Sequence, residues 1–162
     1  MNTNDAFGTF TGPAEIRLVR TLPGPVELVW EYLTDPERRS RWFASGPMEP
    51  RVGGKVRLEM RHSCIAPNET PPPEFKKAHE DGKIHEGTVT RWEPPRLLAF
   101  TFGSDNESEA IFELTEQGRN VLLVLTHRAS AGDIPYMHEI GAGWHTHGAQ
   151  LIARLGGPEP PP

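Results

Sequence analysis

The chain has 162 residues, which corresponds to one domain large enough to bury its own core. Its 17 Lys and Arg against 22 Asp and Glu give a net charge of −5, so it lacks the basic balance of a nucleic-acid-binding domain. Its single cysteine, Cys64, excludes an internal disulfide, and no apolar run is long enough to predict a membrane span. The N-terminus lacks the basic start and apolar segment of a signal peptide, which predicts a cytoplasmic protein.

Proline and glycine divide the chain at three places. Residues 1–13 are polar or small and are predicted to be a flexible N-terminus, and the proline-rich residues 156–162 are predicted to be a disordered tail. Residues 63–83 have few large apolar side chains, so we interpret them as a long loop inserted between two strands. Loops of this length serve as lids or are disordered. Residues 14–155 therefore form the single predicted domain.

The first predicted elements are a strand and two short helices. The strand covers residues 15–22, where every second side chain is apolar except Arg20, so one face is predicted to be buried. Pro25 opens a helix, as proline can in a first turn, and apolar side chains follow at helical spacing. The Asp-Pro pair at 35–36 ends this helix and begins a second one, which extends through Trp42.

The middle of the chain is typical of antiparallel strands, about six in all. Alternating charged and apolar side chains indicate the first of them, and two consecutive prolines, which supply no ladder donors, separate the next two. A tight turn joins the last two as a hairpin. The predicted ranges are 55–62, 84–93, 97–102, 109–115 and 120–128.

The final segment changes to helical periodicity. Asp133 is a candidate N-cap, and a helix of about 22 residues, roughly 33 Å long, is predicted to end at the glycines 156–157. Strands followed by a long helix predict an α+β fold with the helix packed on one sheet face. The apolar stripe of this helix consists of Met137, Ile140, Trp144, Leu151 and Leu155.

Several phrases of the sequence, taken in order, resemble a known superfamily. They include Val-Trp-Glu-Tyr-Leu-Thr-Asp-Pro at 29–36, Val-Gly-Gly-Lys-Val at 52–56, Gly-Thr-Val-Thr-Arg-Trp-Glu-Pro-Pro at 87–95, and Gly-Trp at 143–144. Together they resemble the START-like, or SRPBCC, superfamily, in its branch of homologues of the activator of heat shock protein 90 ATPase. The resemblance implies a helix-grip fold, in which a curved antiparallel sheet wraps around the C-terminal helix and leaves a cavity. Many relatives bind lipids, hormones or polyketides there, and a few catalyse cyclisation or hydrolysis.

Three glycines interrupt the predicted C-terminal helix: Gly141, Gly143 and Gly148. Each costs roughly 0.8–1 kcal/mol relative to alanine in a helix interior, so something is expected to offset that cost. Either the helix approaches a strand so closely that no side chain fits, or the missing side chains leave room for a ligand. Both interpretations stay open from the sequence.

Two histidines follow the last apolar residue on one face of their strands. His62 continues the apolar face of strand 55–62, and His127 continues that of strand 120–128. If both faces look inward, each places a polar ring in a mostly apolar pocket, as in small-molecule sites; otherwise both lie at exposed strand ends. The aromatic side chains are either plain core or the wall of such a cavity. The candidate ligand-binding residues are Trp30, Trp42, Met60, His62, Trp92, Phe100, Phe102, Phe112, His127 and Trp144.

Motifs for catalysis are incomplete. Three His-Glu pairs lack the second histidine of a zinc-protease helix, and no Gly-x-Ser-x-Gly elbow occurs, so we expect no metal and no cofactor. His145 and His147 point to different sides of a helix and are interpreted as part of a solvated, histidine-rich surface. The same interpretation, a solvated helix end, applies to Arg38, Arg39 and Arg41.

We therefore expect a domain that binds a small hydrophobic or aromatic molecule in a cavity between sheet and helix, without defined catalysis. The resemblance also suggests a co-chaperone-like or stress-response protein, with a chaperone as its partner. A third hypothesis is a cyclase or hydrolase in which His62 or His127 acts as general acid or base. No nucleic-acid partner is expected.

Overall fold

The computed structural model describes residues 9–12, 14–60, 83–102, 108–129 and 137–157, which form seven strands and three helices. One antiparallel sheet has the strand order β1-β2-β7-β6-β5-β4-β3. The helices are α1 (Val26–Thr34), α2 (Pro36–Arg39) and α3 (Met137–Arg154). The strands are β1 (Thr9–Gly12), β2 (Glu15–Pro23), β3 (Lys55–Met60), β4 (Lys83–Glu93), β5 (Leu97–Phe102), β6 (Ser108–Gln117) and β7 (Asn120–Arg128).

The predicted fold class is confirmed, because the long helix α3 lies on one face of a curved antiparallel sheet. The count of strands around the two short helices differs from the prediction: two precede α1, and five rather than about six follow α2. The additional strand β1 falls inside the segment 1–13, which was predicted to be flexible. Its backbone pairs with β2, with Thr9 opposite Arg17, and such pairing does not depend on apolar side chains.

Two predicted segments lie largely outside the described residues. The predicted loop 63–83 is described only at Lys83, where β4 begins, and the predicted N-cap Asp133 is not described. Helix α3 is described over 18 residues from Met137. It ends before Gly156, whose φ of 98° is a left-handed conformation that glycine adopts without strain, so the predicted end of the helix is correct.

The alternation of side chains along β2 and β7 explains where the core lies. Antiparallel pairing sets Leu18 opposite Leu125 and Ile16 opposite His127, so these side chains share the face that looks towards α1 and α3. Arg20 is on the same face and is only 1% exposed. The inner faces of β2 and β7 are therefore apolar, apart from one buried guanidinium and one buried imidazole.

The segment between α2 and β3 covers the outer edge of β3. Ser45 forms a bridge with Glu59, and Met48 forms one with Val56. The amide of Arg57 also donates to the carbonyl of Pro47 at 2.9 Å. The backbone groups along this side of β3 are thus hydrogen-bonded within the chain.

Arg39 corrects the interpretation of the arginines after α1 as a solvated helix end. Its side chain is 1% exposed and donates to three backbone carbonyls, those of Thr34 at 3.2 Å, Ala44 at 3.0 Å and Gly46. Burial lowers the pKa of Arg39 to about 10, partly offset by the nearby charge of Asp35. The guanidinium stays charged at neutral pH and fixes the turn that follows α2.

Candidate functional site

Five buried aromatic rings form a continuous cluster between α3 and the sheet, called here the aromatic wall. The ring of Trp144 on α3 lies 5.0 Å from that of Phe43 and 5.9 Å from that of Phe112, measured between centroids. The wall exists because the backbone of α3 comes near the sheet mainly at β2, so large rings span the remaining gap. Its members are Trp42, Phe43, Phe100, Phe112 and Trp144.

A buried histidine joins the aromatic wall to β7. The indole N–H of Trp144 donates to Nδ1 of His127 at 2.8 Å, and the His127 side chain is 3% exposed. An indole nitrogen can only donate, so Nδ1 must be unprotonated. His127 is therefore neutral, with its proton on Nε2, while this contact holds.

A second polar contact joins α3 to β2. The Nη2 group of Arg20 donates to Nδ1 of His145 at 3.0 Å, and its Nη1 group donates to the carbonyl of Val19 at 2.9 Å. The guanidinium lies against Gly148, where an added Cβ would be 3.6 Å from the Arg20 Nε. Because a guanidinium only donates, Nδ1 of His145 must also be unprotonated.

A third histidine joins α3 to the turn after α2. Nδ1 of His147 lies 2.8 Å from the carbonyl oxygen of Trp42, and its ring is 5.1 Å from that of Phe43. A carbonyl can only accept, so Nδ1 of His147 must carry a proton. This requirement is opposite to that at His127 and His145. The interpretation of His145 and His147 as a solvated surface is therefore wrong, since both are half-buried and make these contacts.

The predicted ligand-binding residues divide into three groups. Trp42, Phe100, Phe112, His127 and Trp144 are brought together at the aromatic wall. Two others, Trp30 and Trp92, pair with each other edge to face, with centroids 5.1 Å apart. The structure does not describe the remaining three: the side chains of Met60 and Phe102, and the whole of His62.

Sequence reasoning missed four residues at this site: Arg20, Phe43, His145 and His147. The sequence did contain a signal for Arg20, because it alternates in step with the buried apolar residues of β2. Phe43 follows the predicted end of the second helix, where no periodicity marks it. The contacts of His145 and His147 depend on how α3 is rotated against the sheet, and no local pattern reports that rotation.

The structure limits the two interpretations of the helical glycines. At Gly148 an added Cβ would make ordinary contacts with Arg20, and at Gly143 it would meet no atom of the described residues within 4 Å beyond its neighbours in the helix. Close approach to a strand therefore explains neither position. Gly143 itself is half-buried. It lies one helical turn before His147, on the flank of α3 that faces Phe43.

A separate groove of about 510 Å³ lies on the surface at β3 and β4. Its walls carry charges of both signs, including Glu49, Lys55, Arg57 and Glu86. The backbone N–H of Lys55 donates to the carboxylate of Glu49 at 2.8 Å, and this hydrogen bond lowers the pKa of Glu49. The groove contains none of the predicted ligand-binding residues.

Within the described ranges, no group of three or more metal-ligating side chains lies together. None of the described helices combines the length and apolar character that crossing a bilayer requires.

Solved structures support the fold assignment. The protein encoded by gene BPP1335 of Bordetella parapertussis is 37% identical, with a TM-score of 0.76 over 100% of this chain and 87% of that one. CalU16 of Micromonospora echinospora is 27% identical, with a TM-score of 0.63 over 92% of this chain and 83% of that one. Protein NE0264 of Nitrosomonas europaea shares the fold, with a TM-score of 0.69 over 90% of this chain and 96% of that one. It is 21% identical. No curated protein sequence matches the chain.

The family model described as "Activator of Hsp90 ATPase homolog 1-like protein" matches residues 23–156, which is most of the chain. This match and the similar structures confirm the resemblance found in the sequence. The chain therefore belongs to the family of activator of Hsp90 ATPase homolog 1-like proteins.

Proposed function

We propose that this domain binds a small hydrophobic or aromatic molecule between the sheet and α3, beside the aromatic wall. The observation that carries the proposal is the open space at half-buried Gly143, where an added Cβ would meet no atom of the described residues within 4 Å. Gly143 precedes Trp144 in the sequence. It also lies on the same side of α3 as His147, one turn later, whose ring contacts Phe43. A flat apolar molecule there would face the rings of the wall.

The cost of the glycine supports this assignment. Gly143 destabilises α3 by roughly 0.8–1 kcal/mol relative to alanine, and no described residue lies close enough to require a glycine there. A ligand that occupies the space would offset this cost when it binds. Buried polar groups beside apolar walls are also typical of small-molecule sites, and Arg20 and His127 are such groups.

Thermal unfolding with a panel of ligands tests the proposal. A fatty acid, a sterol and a flavonoid should each be added to the purified protein, and binding of one class should raise the Tm by mass action. Gly143→Leu should fill the open space beside residue 143 and abolish the rise in Tm that the ligand causes. Ala142→Leu, at the neighbouring exposed position, is the matched control and should keep it. No shift with any class, or equal shifts in both variants, would count against the proposal.

The other two hypotheses receive less support from the described residues. A chaperone-binding protein would need an exposed apolar patch. The exposed large apolar side chains of the described residues are Phe10, Val52 and Ile84, which lie on three separate segments rather than in one docking patch. For acid–base catalysis, His62 is not described, and Nδ1 of His127 is engaged by Trp144. Ligand binding is therefore the function that this geometry supports best.

A further inference from the structure

Three imidazoles connect α3 to the rest of the domain, and their protonation requirements differ. His127 meets Trp144, His145 meets Arg20, and His147 meets the carbonyl of Trp42. The first two contacts require an unprotonated Nδ1, whereas the third requires a protonated one. We infer that mild acid releases α3 from β7 and β2 by protonating His127 and His145, while the contact of His147 persists.

Protonation would convert each of the two acceptors into a donor. In His⁺ both ring nitrogens carry a proton, so Nδ1 of His127 would face the indole N–H of Trp144, donor against donor. Nδ1 of His145 would likewise face the Nη2 group of Arg20, and there a positive charge would also meet a positive charge. Neither contact survives protonation without movement of α3.

The fully buried charged groups that the structure describes do not favour the protonated forms of the two histidines. Among the described residues the only fully buried charged side chains are Arg20 on β2 and Arg39 on α2, and both are cationic. Arg20 pairs with Leu123 and lies on the same face as His127, about 13 Å along the strands. The inner faces of β6 and of the turn after α2 present Phe112 and Phe43, which do not titrate.

The direction of the pH effect follows from proton counting. The docked state holds His127 and His145 neutral, whereas an undocked or unfolded chain takes up protons on them near pH ~6.5. The undocked state therefore binds more protons, and its population rises as the pH falls below that value. Each histidine can raise the unfolding equilibrium constant by up to about tenfold per pH unit.

The hydrogen bond of His147 separates this effect from general acid sensitivity. Its Nδ1 already carries a proton, and adding the second proton at Nε2 leaves the hydrogen bond to the Trp42 carbonyl intact. In acid the helix would thus stay attached at the turn after α2 and separate from the sheet at β7 and β2. If the proposed ligand site is correct, the wall that contains Trp144 would open on the sheet side, and ligand would be released.

Indole resonances of the ligand-free protein test the inference directly. In ¹H–¹⁵N spectra recorded from about pH 7.5 to 5.5, the Trp144 indole peak should shift or broaden; the Trp144→Phe spectrum assigns it. The Trp42 indole, which donates to the carbonyl of Tyr32 at 2.7 Å, is the internal control and should not move. An unchanged Trp144 peak over this range would overturn the inference, whatever the outcome of ligand binding.

Asparagine variants test which histidines are responsible. Asparagine places its side-chain oxygen near the position of Nδ1 and does not titrate, so His127→Asn combined with His145→Asn should keep both acceptors. Denaturant unfolding should then lose most of the pH dependence between about pH 7.5 and 5.5 that the wild type shows. His147→Asn is the matched control and should keep that dependence. A double variant as acid-sensitive as the wild type would exclude these histidines as the cause.

Discussion

Two regions of the domain bury an arginine, and they use it differently. In the turn after α2, Arg39 donates to three backbone carbonyls. At the junction of α3 with the sheet, Arg20 donates to the ring of His145. A carbonyl accepts hydrogen bonds at every pH, whereas an imidazole nitrogen accepts only when it is unprotonated. The same kind of donor therefore makes one region insensitive to pH and the other sensitive.

The comparison separates a fixed part of the fold from an adjustable one. The turn after α2 positions Trp42 and Phe43, which supply one end of the aromatic wall. The other end, Trp144, depends on a helix whose polar contacts with the sheet, through His127 and His145, hold only while these histidines are neutral. A site built in this way has one rigid side and one side that can move without unfolding the whole domain.

The largest effect is expected at the fixed region. Arg39→Leu leaves three carbonyls without their donor and should lower the free energy of unfolding by about 3–5 kcal/mol. Arg38→Leu is the matched control, because its ion pair with Glu31 is exposed and contributes about 0–1 kcal/mol. Denaturant unfolding measures both. Equal losses in the two variants would show that Arg39 does not hold the turn.

The next effect concerns the adjustable region. Trp144→Phe keeps a ring in the wall but removes the donor to His127, which should cost about 1–3 kcal/mol near pH 7.5. The cost should shrink near pH ~5.5, where the wild type has lost the same hydrogen bond. Trp42→Phe removes a donor to a backbone carbonyl instead, so the stability that it loses should be the same at both pH values. A cost for Trp144→Phe that does not change with pH would remove the distinction between the regions.

A smaller effect compares two glycines of the C-terminal segment. Gly143→Ala adds a Cβ that meets none of the described residues within 4 Å, so it should stabilise the ligand-free domain by about 0.8–1 kcal/mol. Gly157→Ala should destabilise it, because the added Cβ would lie 2.5 Å from the Ile152 side chain and 2.9 Å from its carbonyl oxygen. Thermal unfolding gives the sign of each change. Destabilisation by Gly143→Ala would mean that the space beside it is not available.

The smallest effect checks that acid acts through histidines rather than carboxylates. The hydrogen bond from the Lys55 amide lowers the pKa of Glu49 from its ordinary value of 4.5, so it stabilises the fold above that pH and is lost in stronger acid. Glu49→Gln should therefore lower stability by the same small amount from about pH 7.5 to 5.5, leaving the pH dependence over that range unchanged, and the difference from the wild type should disappear near pH ~4 and below. A change in the pH dependence between about pH 7.5 and 5.5 would assign part of the acid response to the surface groove.

The sequence predicted those elements whose limits are local. The strands β5 and β7 have the predicted bounds, because consecutive prolines and a tight turn delimit them. The alternation along β2 also places Arg20 in register with its apolar residues, although Arg20 is not among the predicted ligand-binding residues. In each case, neighbouring residues carried the information.

The residues that escaped prediction depend on contacts between distant segments. Arg39 is buried because the chain turns back so that the carbonyls of Ala44 and Gly46 surround it, which charge patterning cannot indicate. The tautomers of His127 and His145 follow from partners 17 and 125 residues away. Residue type and register were therefore enough to select five side chains that the fold brings together, but their hydrogen-bonding roles depend on the three-dimensional arrangement. These five are Trp42, Phe100, Phe112, His127 and Trp144.

The anchoring of Gly46 by Arg39 has a further consequence for how the protein would fail. Gly46 belongs to the same segment that bridges to β3 at Ser45 and Met48 and shields its outer strand edge. If the arginine is lost, that segment is released and a row of amide and carbonyl groups is exposed to other molecules. Exposed strand edges template intermolecular association, so Arg39 variants should form aggregates that grow through β3 before the remaining strands unfold.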